Sequence, residues 1–119
     1  EVLLPVHHCL LGKCKREEIR EVYSKPQALS QCRSWLSRHL PEARIIEIAS
    51  TTRAAQVAAE KSGVAAIASR EAGIHYGLNV LVENIEDNPN NVTRFAVIGN
   101  RSPEATGYDK TSIMFQIPH

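Results

Sequence analysis

Aromatic residues are scarce: Phe, Trp and Tyr together make up 5% of the 119 residues, too few to build a stacking platform for single-stranded nucleic acid. Neither sign of charge prevails. Fourteen Lys and Arg stand against thirteen Asp and Glu, a formal net charge of +1, and their even scatter offers no electrostatic footprint to DNA, RNA or an anionic membrane. Apolar runs are short and interrupted by His, Lys or Glu, below the length needed to cross a bilayer. The three cysteines, Cys9, Cys14 and Cys32, are an odd number with no signal peptide before them, so a reducing cytoplasm is expected. What is present is ordinary for a globular chain, 43% hydrophobic and 23% charged. The length suits one small domain able to bury a core without disulfides or metal. Glu1 rather than Met opens the chain, which raises the expectation that it was cut from something longer.

Glu1 to Leu11 is rich in Val and Leu, ends at Gly12, and reads as a buried strand without polar alternation. Ile19 to Tyr23 reads as a second. Ser24-Lys25-Pro26 supplies a helix start, and Leu29, Cys32, Leu36 and Leu40 follow at helical spacing up to Pro41. Arg44 to Ile48 is a strand; Ser50-Thr51-Thr52 opens an alanine-rich helix through Lys61 that should stop at a left-handed Gly63. Val64 to Ala68 is a short buried strand, Ser69 caps a short helix ending at Gly77, and Val80 to Val82 is a further strand. Strands alternating with helices predict an α/β domain with a mostly parallel sheet covered on both faces. A polar loop, Glu83 to Asn91, then leads into Thr93 to Ile98, and a second loop, Asn100 to Asp109, into a last strand at Thr111 to Ile117.

In such sheets ligands collect beyond the carboxyl ends of the strands, where helix N-termini offer unpaired backbone N–H groups to an anion. Ser24 to Gln27, Ser50 to Thr52 and Ser69 all fall there and all carry hydroxyls. Ser and Thr are also preferred at such places for capping alone. Their repetition suits a small carboxylate ligand at the mouth of the sheet.

Four stretches sharpen this. Asn91-Val92-Thr93-Arg94-Phe95, with the acidic Glu83-Asn84-Ile85-Glu86-Asp87 before it, resembles the threonine-arginine-phenylalanine signature of prephenate dehydratases. Ser24-Lys25-Pro26-Gln27-Ala28-Leu29-Ser30-Gln31-Cys32 is similar to the family's Ser-His-Pro-Gln-Ala-Leu-x-Gln-Cys segment, with Lys25 in place of the histidine. Ser50-Thr51-Thr52-Arg53-Ala54-Ala55 resembles its Ser-Thr-x-x-Ala-Ala segment, and Asp109-Lys110-Thr111-Ser112 the join to its regulatory ACT domain. With His7-His8-Cys9-Leu10-Leu11 these run through nearly the whole chain in the family's order.

The resemblance implies a periplasmic-binding-protein-like (type 2) lobe with antiparallel hinge strands. Residues 1–109 would be the second lobe of the dehydratase domain, its first lobe missing, and residues 110–119 a linker and first strand of a truncated ACT domain. Val2 to Leu11 should then pair antiparallel with Phe95 to Ile98. The implied reaction is the decarboxylative dehydration of prephenate to phenylpyruvate, in phenylalanine biosynthesis, by a carbon–oxygen lyase that needs no cofactor or metal. The full-length protein, in some relatives fused to a chorismate mutase, is expected to be a homo-oligomer, and the isolated fragment inactive because half the cleft is absent.

By the same resemblance Thr93 is the catalytic candidate, donating a hydrogen bond or relaying a proton to the leaving hydroxyl; read from residue type alone, it simply starts a strand. Arg94 either holds a substrate carboxylate or pairs with Glu86 or Asp87. Ser24, Gln27, Gln31, Ser50 and Thr51 are carried over as substrate-binding donors, Gln31 lying two helical turns after Ser24. Ala49 stands where some relatives carry an acid. Three alternatives compete: an arogenate dehydratase, a non-catalytic lobe that senses a small carboxylate, and a zinc site. His7, His8, Cys9 and Cys14 are clustered, but Cys32, His39, His75 and His119 lack ligand spacing, and no metal is expected.

Overall fold

The computed structural model describes residues 1–118; His119 lies outside the described residues. The segment expected as one strand from Glu1 to Leu11 is two, β1 (Val2–Pro5) and β2 (Cys9–Gly12), and they belong to different sheets. The break follows Pro5, which has no N–H to continue a ladder. Every β1 residue is exposed, whereas every β2 residue is buried.

A 3₁₀ turn at Arg16–Glu18 leads to β3 (Glu21–Ser24), then α1 (Pro26–Gln31), α2 (Arg33–His39), β4 (Arg44–Glu47), α3 (Thr51–Glu60), β5 (Val64–Ala68), α4 (Arg70–His75), β6 (Asn79–Val82) and β7 (Val92–Phe95). The five-stranded sheet has the order β4-β3-β5-β2-β6. β3 runs parallel to β4 and β5, but β2 runs antiparallel to both β5 and β6, so the sheet is mixed rather than simply parallel. β1 pairs antiparallel with β7 in a separate two-stranded ribbon, Val2 opposite Phe95 and Pro5 opposite Val92. The antiparallel pairing expected between Val2–Leu11 and Phe95–Ile98 is present only in part: the ribbon joins Val2–Pro5 to Val92–Phe95, so Val2 opposite Phe95 is the one pair within the expected bounds, and Leu11 and Ile98 take no part.

Alternation along the central strands sorts side chains to the two faces. Leu11, Ala66 and Ala68 pack on Ala54, Ala55 and Val57 of α3. Leu10, Ala65 and Ile67 turn the other way, toward Ala28 and Leu29 of α1, Leu36 of α2 and Cys32 between the two helices. β5, Val-Ala-Ala-Ile-Ala, is buried throughout, as a strand covered on both faces must be. Gly63, before it, has the left-handed φ of +70° expected after α3.

Two further expectations need correction. The helix anticipated from Ser24 to Leu40 is broken at Cys32, yet Leu29, Cys32 and Leu36 still face the core. Asp87 explains the break: its N–H donates to Gln31 O (2.7 Å), and its carboxylate accepts from the backbone N–H groups of Ser34 (3.0 Å) and Trp35 (3.2 Å), capping α2. Thr111 to Ile117 forms no strand and is exposed, since a strand needs a neighbour for its ladder and nothing pairs with it among the described residues. No described helix is long and apolar enough to cross a membrane.

Candidate active site

The directions of the strands bring the ends of five segments to one edge of the main sheet. β3, β4 and β5 end there, β2 begins there because Cys9 pairs with Ala68, and β6, antiparallel to β2, ends there too. Ser24, Ser50, Ser69, His8 and Glu83 therefore share the edge at which α/β sheets hold ligands. Where this edge meets the β1–β7 ribbon lies a half-open cavity of about 490 Å³. Thr93 lines it with Leu4, its partner across the ribbon, and with Phe95, two residues on and hence on the same face. Ser69, Arg70 and Glu83 line the opposite wall, and His7 and Cys9 the floor between them. A groove of similar size, about 510 Å³, lies between α1, α2 and the edge strand β4 and holds none of the expected site residues.

Of those residues only Thr93 lines the cavity. Arg94, one position on, points to the other face, and its Nε pairs with Glu1 (3.1 Å) instead of Glu86 or Asp87. Ser24 is not the helix cap. It ends β3, wholly buried, and its hydroxyl donates to Ile67 O (2.7 Å), while Lys25 takes the N-cap position ahead of Pro26. Gln27 is exposed on the first turn of α1. Gln31 is half-buried, and its side-chain oxygen accepts a hydrogen bond from His8 Nε2 (2.6 Å). Ser50 caps α3 by accepting from Arg53 N–H (3.0 Å), with Thr51 half-buried beside it. Ser69 caps α4 in the same way, through Ala72 N–H (3.2 Å).

Under the cavity lies a polar cluster that the sequence reading missed. Glu86, in the segment read as a polar loop, has only 1% of its side chain exposed. Its Oε1 accepts from His7 Nδ1 (2.7 Å) and its Oε2 from the backbone N–H of His8 (2.9 Å). Burial alone would raise this carboxyl, but the hydrogen bonds from His7, His8 and its own backbone outweigh that and hold it below its ordinary 4.5. An ionised carboxylate only accepts, so His7 carries its proton on Nδ1. Ile85, completely buried beside Glu86, was the available hint that this loop folds inward. Arg70, ion-paired with Glu83 across the cavity wall, had no signal beyond its place after the Ser69 cap. Among the described residues no group of His, Cys, Asp and Glu has the arrangement of a metal site, and no buried side-chain nitrogen or oxygen lacks a hydrogen bond.

The family model described as prephenate dehydratase matches residues 1–103. A bifunctional chorismate mutase/prephenate dehydratase of Neisseria gonorrhoeae is 47% identical over all of this chain and 34% of its own length. Its counterpart in Aquifex aeolicus is 43% identical over 98% of this chain and 33% of its own. The chain thus spans about a third of the length of the curated relatives it matches. In three dimensions it superposes on the prephenate dehydratase of Arthrobacter aurescens, crystallised in complex with L-Phe, with a TM-score of 0.72 at 29% identity, covering 85% of this chain and 37% of that one. On the match across residues 1–103 and this agreement in sequence and fold, the chain belongs to the prephenate dehydratase family.

Proposed function

We propose that this chain forms one wall of the cleft of a prephenate dehydratase, in which prephenate loses carbon dioxide and water to give phenylpyruvate on the route to phenylalanine. The observation that carries the reading is the position of Thr93, from the family's signature, in a cavity where the ribbon meets the ligand-binding edge of the sheet. Residues 1–109 act as the second of two periplasmic-binding-protein-like lobes, with β1 and β7 as hinge strands, and residues 110–119 lead toward an ACT domain. A share of about a third of the relatives' length fits a lobe that needs a partner lobe to close its cleft. Alone it folds without turning over substrate. The full-length enzyme works in the cytoplasm as a homo-oligomer, in keeping with three free thiols.

The substrate has a ring carboxylate and a pyruvyl group on one carbon and a hydroxyl on the carbon opposite. Breaking the bond to the carboxylate supplies the electron pair that completes the aromatic ring, and the hydroxyl leaves as water once it receives a proton. No electron acceptor is required. The protein has to hold the side-chain carboxylate and assist the hydroxyl. Thr93 meets the hydroxyl, while Arg94 becomes available to a carboxylate if it exchanges Glu1 for substrate when the lobes close. Gln27 and Thr51 present hydroxyl or amide groups from the same edge, and Gln31 retains its amide nitrogen. Ser24 and Ser50, whose hydroxyls are bonded within the chain, shape that edge around the substrate.

Phenylpyruvate formation by the full-length protein tests this. Thr93→Ala is expected to lower kcat by about 100-fold or more with little change in KM, the scale of a lost proton-transfer or charge-stabilising group. A wild-type protein that is folded but inactive on prephenate, or a fully active Thr93→Ala variant, would refute the assignment. Turnover of arogenate alone would move the substrate to the amino analogue.

A further inference from the structure

Thr93 cannot by itself be the source of the proton that the departing hydroxyl consumes, because an alcohol is a very weak acid. The other groups lining the cavity narrow the choice. Arg70 is committed to its ion pair with Glu83. Glu71 and Glu83 are exposed carboxylates, and burial, only partly offset by a hydrogen bond from the Asn84 backbone, raises the Cys9 thiol. Imidazole is the side chain whose ordinary titration brackets neutral pH, and His7 lines this cavity with half of its side chain, 49%, exposed.

His7 is also held. Glu86, fixed by the His8 N–H and buried to 1% exposure, accepts the His7 Nδ1 proton at 2.7 Å. This orients the ring and leaves Nε2 as the nitrogen that exchanges protons. The charges around it are Glu86 on the loop, Glu71 on α4, and the Arg70–Glu83 pair spanning α4 and the end of β6. A proton on Nε2 thus sits among carboxylates, with one cation that is itself paired.

We propose that His7 is the proton donor to the leaving hydroxyl, directly or through the Thr93 hydroxyl, and that Glu86 is its positioning residue. This rests on the dehydratase reading above. As the bond from the ring carbon to the carboxylate breaks, its electrons form the new ring double bond and carbon dioxide leaves. The carbon–hydroxyl bond breaks with its pair on oxygen, which takes the Nε2 proton and departs as water. Neutral His7, half-exposed, then recovers a proton from solvent.

The test is kcat against pH for the full-length enzyme on prephenate, with enzyme-free controls at each pH. His7→Asn keeps an amide N–H to donate to Glu86 but removes the titrating nitrogen. The wild type should lose kcat along a one-proton limb as pH rises. His7→Asn should lose about 100-fold or more in kcat, keep KM within about two-fold, and lose that limb. A folded His7→Asn with wild-type kcat, or with lower kcat on an unchanged limb, overturns the proposal. If His7→Asn fails to fold, Glu86→Gln decides: with the ring less firmly oriented, kcat should fall by about 10-fold or more while KM stays within about two-fold, and a folded Glu86→Gln with wild-type kcat overturns the proposal. Activity lost in Thr93→Ala but intact in His7→Asn would remove His7 alone. A wild type inactive on prephenate would remove the dehydratase reading and this inference with it.

Discussion

Replacing Glu86 by Ala removes the anion at the centre of the cluster that joins the segment between β1 and β2 to the loop before β7. The buried N–H of His8 loses its acceptor, which costs about 1–3 kcal/mol when water cannot replace it. The bond from His7 adds little, because half of that side chain is exposed and solvent re-hydrogen-bonds it. Release of the carboxylate's desolvation offsets a further part. The net expectation is a loss of about 2 kcal/mol near neutral pH, or roughly 1 M in the urea midpoint for a chain of this size. The sign with pH follows from the depressed Glu86 carboxyl. A group whose folded value lies below its unfolded one stabilises above the unfolded value, and that contribution fades as pH falls through the folded value. The gap between wild type and Glu86→Ala should therefore be widest near neutrality and close in acid below the ordinary carboxyl value of 4.5. Urea titrations of both proteins at the two pH values, followed by circular dichroism, measure it. A neutral-pH difference below about 0.5 kcal/mol, the range of an ordinary surface substitution, would refute the structural role assigned to Glu86.

Asp87→Ala should cost about 1 kcal/mol, the usual worth of an N-terminal cap, because Asp87 accepts from both Ser34 and Trp35 at the start of α2. Trp35, the only tryptophan, reports the change by its fluorescence, and an unaltered urea midpoint would contradict the capping role. Thiol labelling near neutral pH should show one fast group, half-buried Cys14, and two that react only on unfolding. Burial raises the Cys9 thiol, and burial together with the Asp87 and Glu86 charges pushes Cys32 up to about 12. Rapid labelling of Cys32 in the folded protein would count against this core.

Sequence and structure agree where local chemistry decides the outcome. Ser50 and Ser69 cap the helices they precede, Gly63 and Gly77 take left-handed φ after them, and Val64–Ala68 is the buried strand its composition requires. Those features depend on propensities and hydrogen bonds within a few residues. Thr93 was singled out only through the signature it resembles, since nothing in its own residue type separated a site residue from the start of a strand; the structure places it on the cavity wall.

The course of Val2–Gly12 depended on distant partners. Val-Leu-Leu and Cys-Leu-Leu look alike in sequence, yet β1 ends exposed against β7 while β2 enters the centre of the main sheet. The polar loop at 83–91 shows the same limit. Glu86 and Asp87 are adjacent acids in a turn-rich run, but one is buried under His7 and His8 while the other caps a helix more than fifty residues away in sequence. The sequence by itself determined the capped helices, the buried alternation of the sheet and the family signature, because each is written in neighbouring residues. Only the tertiary structure decided the direction of β2, the break at Cys32 and the pairing of His7 with Glu86. Each of those depends on where a hydrogen-bonding group from a remote segment finds its partner once water has been excluded.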